Sequence, residues 1–206
     1  MAKTARYERQ EIVQRATHLF WSKGFHATSM RNLQDFIDMR PGSIYASFGS
    51  KEGLFRETLR CYADASLARL SACAEAAPSP LAALRHFVQL VVVDDQESAP
   101  SDLCMLVKTI AELTEDNAEL IADARLLLKE IENAFMQLLV QAQNDGELDA
   151  GRDPRRLARF LQMQLMGLRT YARANDNDDA IHEMIDELFF CLQQPAEEKE
   201  SPRQKR

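Results

Sequence analysis

The sequence is poor in the signatures that mark several large classes of protein. Its four histidines, His18, His26, His86 and His182, are scattered, and no two stand at a metal-binding spacing such as HExxH. There is no Walker loop, no GxGxxG and no GxSxG, so an enzymatic reading has no residues to name, and the absent signatures call for neither a metal nor a cofactor. The four cysteines, Cys61, Cys73, Cys104 and Cys191, form no CxxC and no regular pattern. That argues against a zinc site and a disulfide framework, and for the reduced thiols of a cytoplasmic protein. Cys61 and Cys73 lie twelve residues apart on one expected helix, about 18 Å, beyond disulfide reach. No run of eighteen apolar residues is present to span a membrane, and MAKTARYERQ lacks the apolar core of a signal peptide. Nor does any segment show sustained alternation of period two, so no strand is expected.

What remains is helical. The 206 residues, 46% of them hydrophobic, suffice for one large domain or two small ones, and only seven Gly and seven Pro interrupt them. Ile12, Ala16, Leu19 and Phe20 form a first stripe that stops at Lys23-Gly24. Thr28 or Ser29 caps a short helix with Met30, Leu33 and Phe36 or Ile37, and a third short segment carries Ile44 and Phe48. A longer helix runs from about 50 to 73, Ser79-Pro80 opens another, and further stripes cover about 102–114, 116–144, 154–174 and 178–193. The expectation is an all-α chain of about nine helices, three very short ones bunched near the N-terminus, with an apolar-poor disordered tail at 195–206.

Charge is divided along the chain. Residues 1–51 hold eight Lys/Arg against four Asp/Glu, a balance of +4, which leaves −11 of the total −7 for the rest. One end is thereby suited to a polyanion that the other repels. Within the basic end, RPGSIYASFGSKEGLF reads as the second half of a helix-turn-helix: first helix about 29–36, turn Ile37-Asp38-Met39, second helix about 40–48. Ile44 and Phe48, four apart, face inward and leave Pro41, Gly42, Ser43, Ala46 and Ser47 outward. Small residues there let a helix enter a major groove roughly 12 Å wide. Arg40 can reach a base edge or phosphate, and Tyr45 and Lys51 flank the helix with groups suited to phosphates. The plainer alternative is a short connector with a Pro-Gly turn.

The run IVQRATHLFWSKGFHATSMRNLQDFIDMRPGSIYASFGSKEGLF, residues 12–55, resembles the DNA-binding domain of the tetracycline-repressor (TetR) family, through "LF…KGF.ATSMR", "GSIY..F.SKE.L" and the distance between them. The resemblance implies a DNA-binding domain at 1–50, a ligand-binding and dimerisation domain at 51–194, and a homodimer on a pseudo-palindromic operator. It implies base contacts from Arg31, Arg40, Pro41, Gly42 and Ser43, and phosphate contacts from Thr28, Tyr45, Ser47 and Lys51. Two positions depart from the family pattern: Asp38 stands where Gly is common, and Arg40 where a Ser or Thr cap is common. The second domain of this family encloses a ligand, for which Tyr62, Phe87, Met105, Phe135, Met163 and Met166 are the candidate lining, with Gln162 and Gln164 to orient it. Cys104, four residues before Lys108, is a candidate for a thiol activated by a nearby ammonium. Leu161, Leu165, Leu168, Ile185, Leu188, Phe189 and Leu192 are the candidate dimer interface. The expected function is repression relieved by a small molecule or electrophile. Activation, or redox switching through Cys104, are the alternatives, and a helical interaction module without DNA binding is a third reading.

Overall fold

The computed structural model describes residues 2–94, 99–101, 103–175 and 177–195. The expected disordered tail, beyond residue 195, lies outside the described residues, as do residues 95–98. The described residues form nine α-helices and no strand: α1 Ala2–Lys23, α2 Met30–Ile37, α3 Pro41–Phe48, α4 Lys51–Ala76, α5 Pro80–Gln89, α6 Met105–Glu112, α7 Ala118–Asn144, α8 Pro154–Ala174 and α9 Asp178–Gln193. A π-helical turn, Leu90–Asp94, prolongs α5, and a 3-10 turn, Glu115–Asn117, leads into α7. The first helix is not one of the very short ones expected near the N-terminus: it spans 22 residues, of which only the later part carries the apolar stripe.

The short helices owe their limits to local chemistry. Ser29 caps α2 and Asn32 closes the box: Ser29 Oγ accepts from Asn32 N (3.1 Å), and Ser29 N donates to Asn32 Oδ1 (3.0 Å). At the other end Asp38 adopts the left-handed conformation (φ 53°), the turn in which Gly is the commoner residue. Helix α3 starts at Pro41 with Arg40 as N-cap and no side-chain cap bond, so this helix end lacks the usual hydroxyl.

Two arginines of α1 secure the opposite ends of this pair. Arg15 Nη2 donates to Phe36 O (2.6 Å) near the C-terminus of α2. Arg9 Nη1 donates to Ser47 O (2.8 Å) near the C-terminus of α3, while its guanidinium lies 4.3 Å from the Phe48 ring centre and pairs with Glu57. Cations belong at such carbonyl-rich ends. Part of the N-terminal positive charge therefore holds the fold rather than a partner.

Helix α1 is fastened to α4 by an aromatic cluster, with Phe55 4.8 Å from Phe20 and 4.9 Å from Phe25 between ring centres. Where α3 meets α4, a Cβ at Gly53 would stand 2.1 Å from Phe48 O, so no side chain fits. Gly53→Ala is expected to cost about 2 kcal/mol by overpacking, with a lower midpoint in thermal unfolding. An unchanged midpoint would show that α3 can move away from α4 freely.

Helices α5, α6 and α8 pack on α4 or α7, and α9 packs on α8 and α5. Arg56 bonds Glu119 (3.0 Å) and Asp123 (2.6 Å), and Arg60 bonds Glu130 (2.5 Å), which sets α4 along α7. Helices α8 and α9 bury Leu157, Leu161, Leu168, Ile181, Ile185, Leu188, Phe189 and Leu192 in the core of the chain itself.

Candidate nucleic-acid interface and internal chamber

Ile44 and Phe48 are buried, and Gly42, Ser43, Tyr45, Ala46 and Ser47 are exposed, as the four-residue spacing implies. Arg31, on α2, and Arg40, before α3, are exposed on the same two-helix unit, Arg31 lying 3.9 Å from Asp35 in a loose surface pair. Pro41 occupies the first turn of α3. Tyr45 keeps about half of its surface in solvent, 49%, which frees its hydroxyl for an outside acceptor.

Lys51 opens α4 behind the Ser50 cap, its ammonium 4.2 Å from the centre of the Phe25 ring. Burial holds its pKa below the ordinary lysine value, against the raising influence of Glu52 and Glu112. Thr28 does not belong in the phosphate-binding set. It is fully buried, and its hydroxyl donates to Gly24 O (2.6 Å), so the side chain offers nothing to a phosphate.

Behind this unit lies a cavity of about 50 Å³ between α4, α5, α7 and α8. Of the candidate lining residues, Tyr62, Phe87, Cys104, Phe135 and Met166 border it, together with Ser66, Val91, Leu128, Ile131, Gln162, Leu165 and Arg169. Three candidates do not. Met105 is buried in the core, Met163 is exposed, and Lys108 turns away toward α1. Gln162 Nε2 donates to Leu128 O (2.9 Å), while Gln164 lies on an outer groove. Around the cavity's polar corner Arg169 Nη1 approaches Tyr62 Oη at 3.3 Å. Burial, then the neighbouring Cys104, push the Tyr62 hydroxyl far above its ordinary pKa, and Arg169 opposes them. The volume decides what fits: it exceeds a water's needs but is well under the roughly 300 Å³ of a drug-sized site.

Lys108 belongs to a different arrangement. Its Nζ donates to Trp21 O (3.0 Å) and Ser22 O (2.8 Å) at the end of α1. Trp21 Nε1 donates in return to Leu103 O (2.7 Å), beside Cys104. At the far end of α6, Glu112 accepts from Phe25 N (3.0 Å) and His26 N (2.6 Å). Gly24 has a positive φ (89°), and a Cβ there would lie 2.4 Å from Glu112 Oε2 and push this carboxylate aside. Cys104 caps α6 rather than lying within it, so its side chain and that of Lys108 diverge despite their spacing. The segment from Leu103 to Glu112 is thus tied at three points to the end of α1 and the turn that follows it.

The expected dimer residues also need correction. Leu161, Leu168, Ile185, Leu188, Phe189 and Leu192 are at most 7% exposed, and Leu165 lines the cavity. They pack inside the chain because each helix carries two apolar stripes, and the stronger one is consumed by the core. The outer stripe shows instead Met163 (60% exposed), Tyr171 (44%), Met184 (46%) and Phe190 (59%). Tyr171 and Met184 border a groove of about 350 Å³ between α8 and α9, together with Phe160, Gln164, Gly167, Glu187 and Cys191, and Leu168 and Leu188 floor it.

A helix-turn-helix mounted on an all-helical body is the architecture of a DNA-binding regulator. Residues 12–58 match the family described as bacterial regulatory proteins, tetR family, and residues 80–188 match the tetracyclin repressor-like C-terminal domain. The chain belongs to the TetR family, whose members are DNA-binding transcriptional regulators and not enzymes. It is 28% identical to the HTH-type transcriptional repressor ComR of Escherichia coli over 170 residues, 81% of this chain and 80% of ComR. It is 24% identical to the HTH-type transcriptional regulator YezE of Bacillus subtilis over 193 residues, 93% of this chain and all of YezE. Among solved structures, a cysteine mutant of the TetR-family regulator CifR complexed with 26-bp operator DNA superposes with a TM-score of 0.79 at 26% identity, covering 88% of this chain and 95% of CifR. Among the described residues no helix is long and apolar enough to cross a membrane.

Proposed function

We propose that the chain is a cytoplasmic, homodimeric repressor whose α3 helices enter successive major grooves of a pseudo-palindromic operator and leave it when the internal chamber is occupied. Residues 1–50 act as the DNA-binding unit and 51–194 as the ligand-binding and dimerisation unit. The observation that carries this is the exposed small-residue face of α3, flanked by Arg31, Arg40, Tyr45, Ser47 and Lys51, in a chain otherwise acidic. Arg31, Arg40, Pro41, Gly42 and Ser43 meet base edges; Tyr45, Ser47 and Lys51 meet phosphates. The likeness to ComR, a repressor, and to CifR on its operator supports both the sign of regulation and the partner. Fluorescence anisotropy on a labelled duplex tests it: a chain of formal charge −7 should bind, and its affinity should fall steeply with salt. Absence of binding even at low ionic strength would overturn the reading.

Release follows from the tie between α6 and the end of α1. Leu103 and Cys104 lie between the chamber and α6, so an occupant that displaces them moves α6 and, through Lys108 and Glu112, the end of α1. The chamber's small volume favours a compact inducer.

Cys104 in the chamber wall, next to Tyr62 and Arg169, favours a second reading in which the inducer is an electrophile that alkylates its sulfur. Cys104→Ser is expected to retain operator binding while N-ethylmaleimide, which releases the wild type, no longer releases the variant. Release of both alike would remove the thiol switch and leave a reversible ligand.

A further inference from the structure

A second cavity adjoins the first and is larger, about 230 Å³. It shares Tyr62, Ser66, Val91 and Arg169 with the inner chamber, but its opposite wall is α1, through Gln14, Thr17 and Trp21. We propose that this outer chamber binds a small aromatic carboxylate, held between the DNA-binding unit and the body.

Charge and shape both point to that chemistry. The lining holds two guanidiniums, Arg69 and Arg169, and no acidic side chain. Both arginines make other contacts, one of them from Arg169 to Tyr62, but a guanidinium has five N–H donors and can serve a carboxylate as well. Trp21 and Tyr62 meet edge to face, 5.0 Å between ring centres and 75° between planes, and give a flat ring an aromatic wall. Gln14 and Ser66 supply neutral hydrogen-bonding groups. The inner cavity offers neither the room nor a second cation.

The regulatory consequence, though not the binding, rests on the proposed repressor function. Arg9 and Arg15, which fix the ends of α3 and α2, project from the same α1 that walls the chamber. A ligand wedged between α1 and α4 therefore changes the placement of the recognition helix, and operator must in turn change ligand affinity by the same factor.

Trp21 is the chain's one tryptophan, so its fluorescence reports this chamber. Titration of the full chain with benzoate is expected to change that emission saturably, and the isosteric neutral benzamide to bind at least tenfold more weakly. Arg69→Gln, at an exposed position outside the DNA face, should remove most of the preference for benzoate. Ala65→Phe should fill the chamber and abolish binding of both, with the thermal midpoint retained. Equal binding of acid and amide, preference for benzoate undiminished in Arg69→Gln, or no binding of either compound would overturn the proposal. Duplex binding by the same preparations separates this result from the fate of the repressor reading.

Discussion

Gly167→Arg is expected to give monomers that have lost high-affinity operator binding yet melt at or above the wild-type temperature. A Cβ at Gly167 would meet no atom of its own chain, and Gly is about 1 kcal/mol worse than Ala inside a helix. The substitution therefore does not harm the isolated chain. In an isologous dimer, however, every substitution appears twice about the two-fold axis, and the outer face of α8 and α9, with only Glu187 as a carboxylate in the groove lining, would receive two bulky guanidinium side chains. Like charges in such a contact cost several kcal/mol, enough to lower dimer affinity by more than a hundredfold. Phe190→Asp should act in the same direction. A charge at Leu188 or Phe189 is not an equivalent test, because both are buried in the chain's own core and would unfold it. Operator affinity falls when dimerisation is lost, because only in the dimer is the second half-site bound at the effective concentration set by the first. Sedimentation and anisotropy on one preparation check the claim, and a Gly167→Arg dimer that still binds operator would place the interface elsewhere.

The second large effect concerns the DNA face. Tyr45→Phe and Lys51→Ala should weaken binding to all duplexes alike, roughly tenfold each for a lost charge-assisted bond. Lys51→Ala should also lower the salt slope by about one per subunit. Arg40→Ala and Arg31→Ala should instead relax preference at particular base pairs, by about 1–3 kcal/mol at each. Full retention of affinity and preference in all four variants would remove α3 as the reader.

The contrast between what the sequence revealed and what it concealed has physical causes. The helix-turn-helix is written in local chemistry: a Ser cap, a turn residue able to take positive φ, Pro at the first helical position, and two apolar residues four apart. Such signals act within a few residues and survive in any sequence context. Thr28 misled because the same residue type can serve an outside phosphate or an inside carbonyl, and only burial distinguishes them. For α8 and α9 the apolar pattern wraps two faces, and periodicity alone does not say which meets the core. Lys108 shows the limit of spacing arguments: Cys104 is a cap, not a helical residue, so the shared face does not exist. Arg169 and Ser66, the polar corner of the cavity, lie about a hundred residues apart and carried no local signal. Nor did Arg9, Arg15 and Glu112, whose partners are backbone groups of other elements.

The central claim, a two-fold dimer reading DNA through α3, is tested most directly by repeated selection of duplexes from a random-sequence pool with the purified chain. The account predicts enrichment of a pseudo-palindrome whose half-sites are centred about one helical turn, or a small multiple of it, apart. Enrichment of a single unpaired half-site, or of no sequence at all, would contradict it.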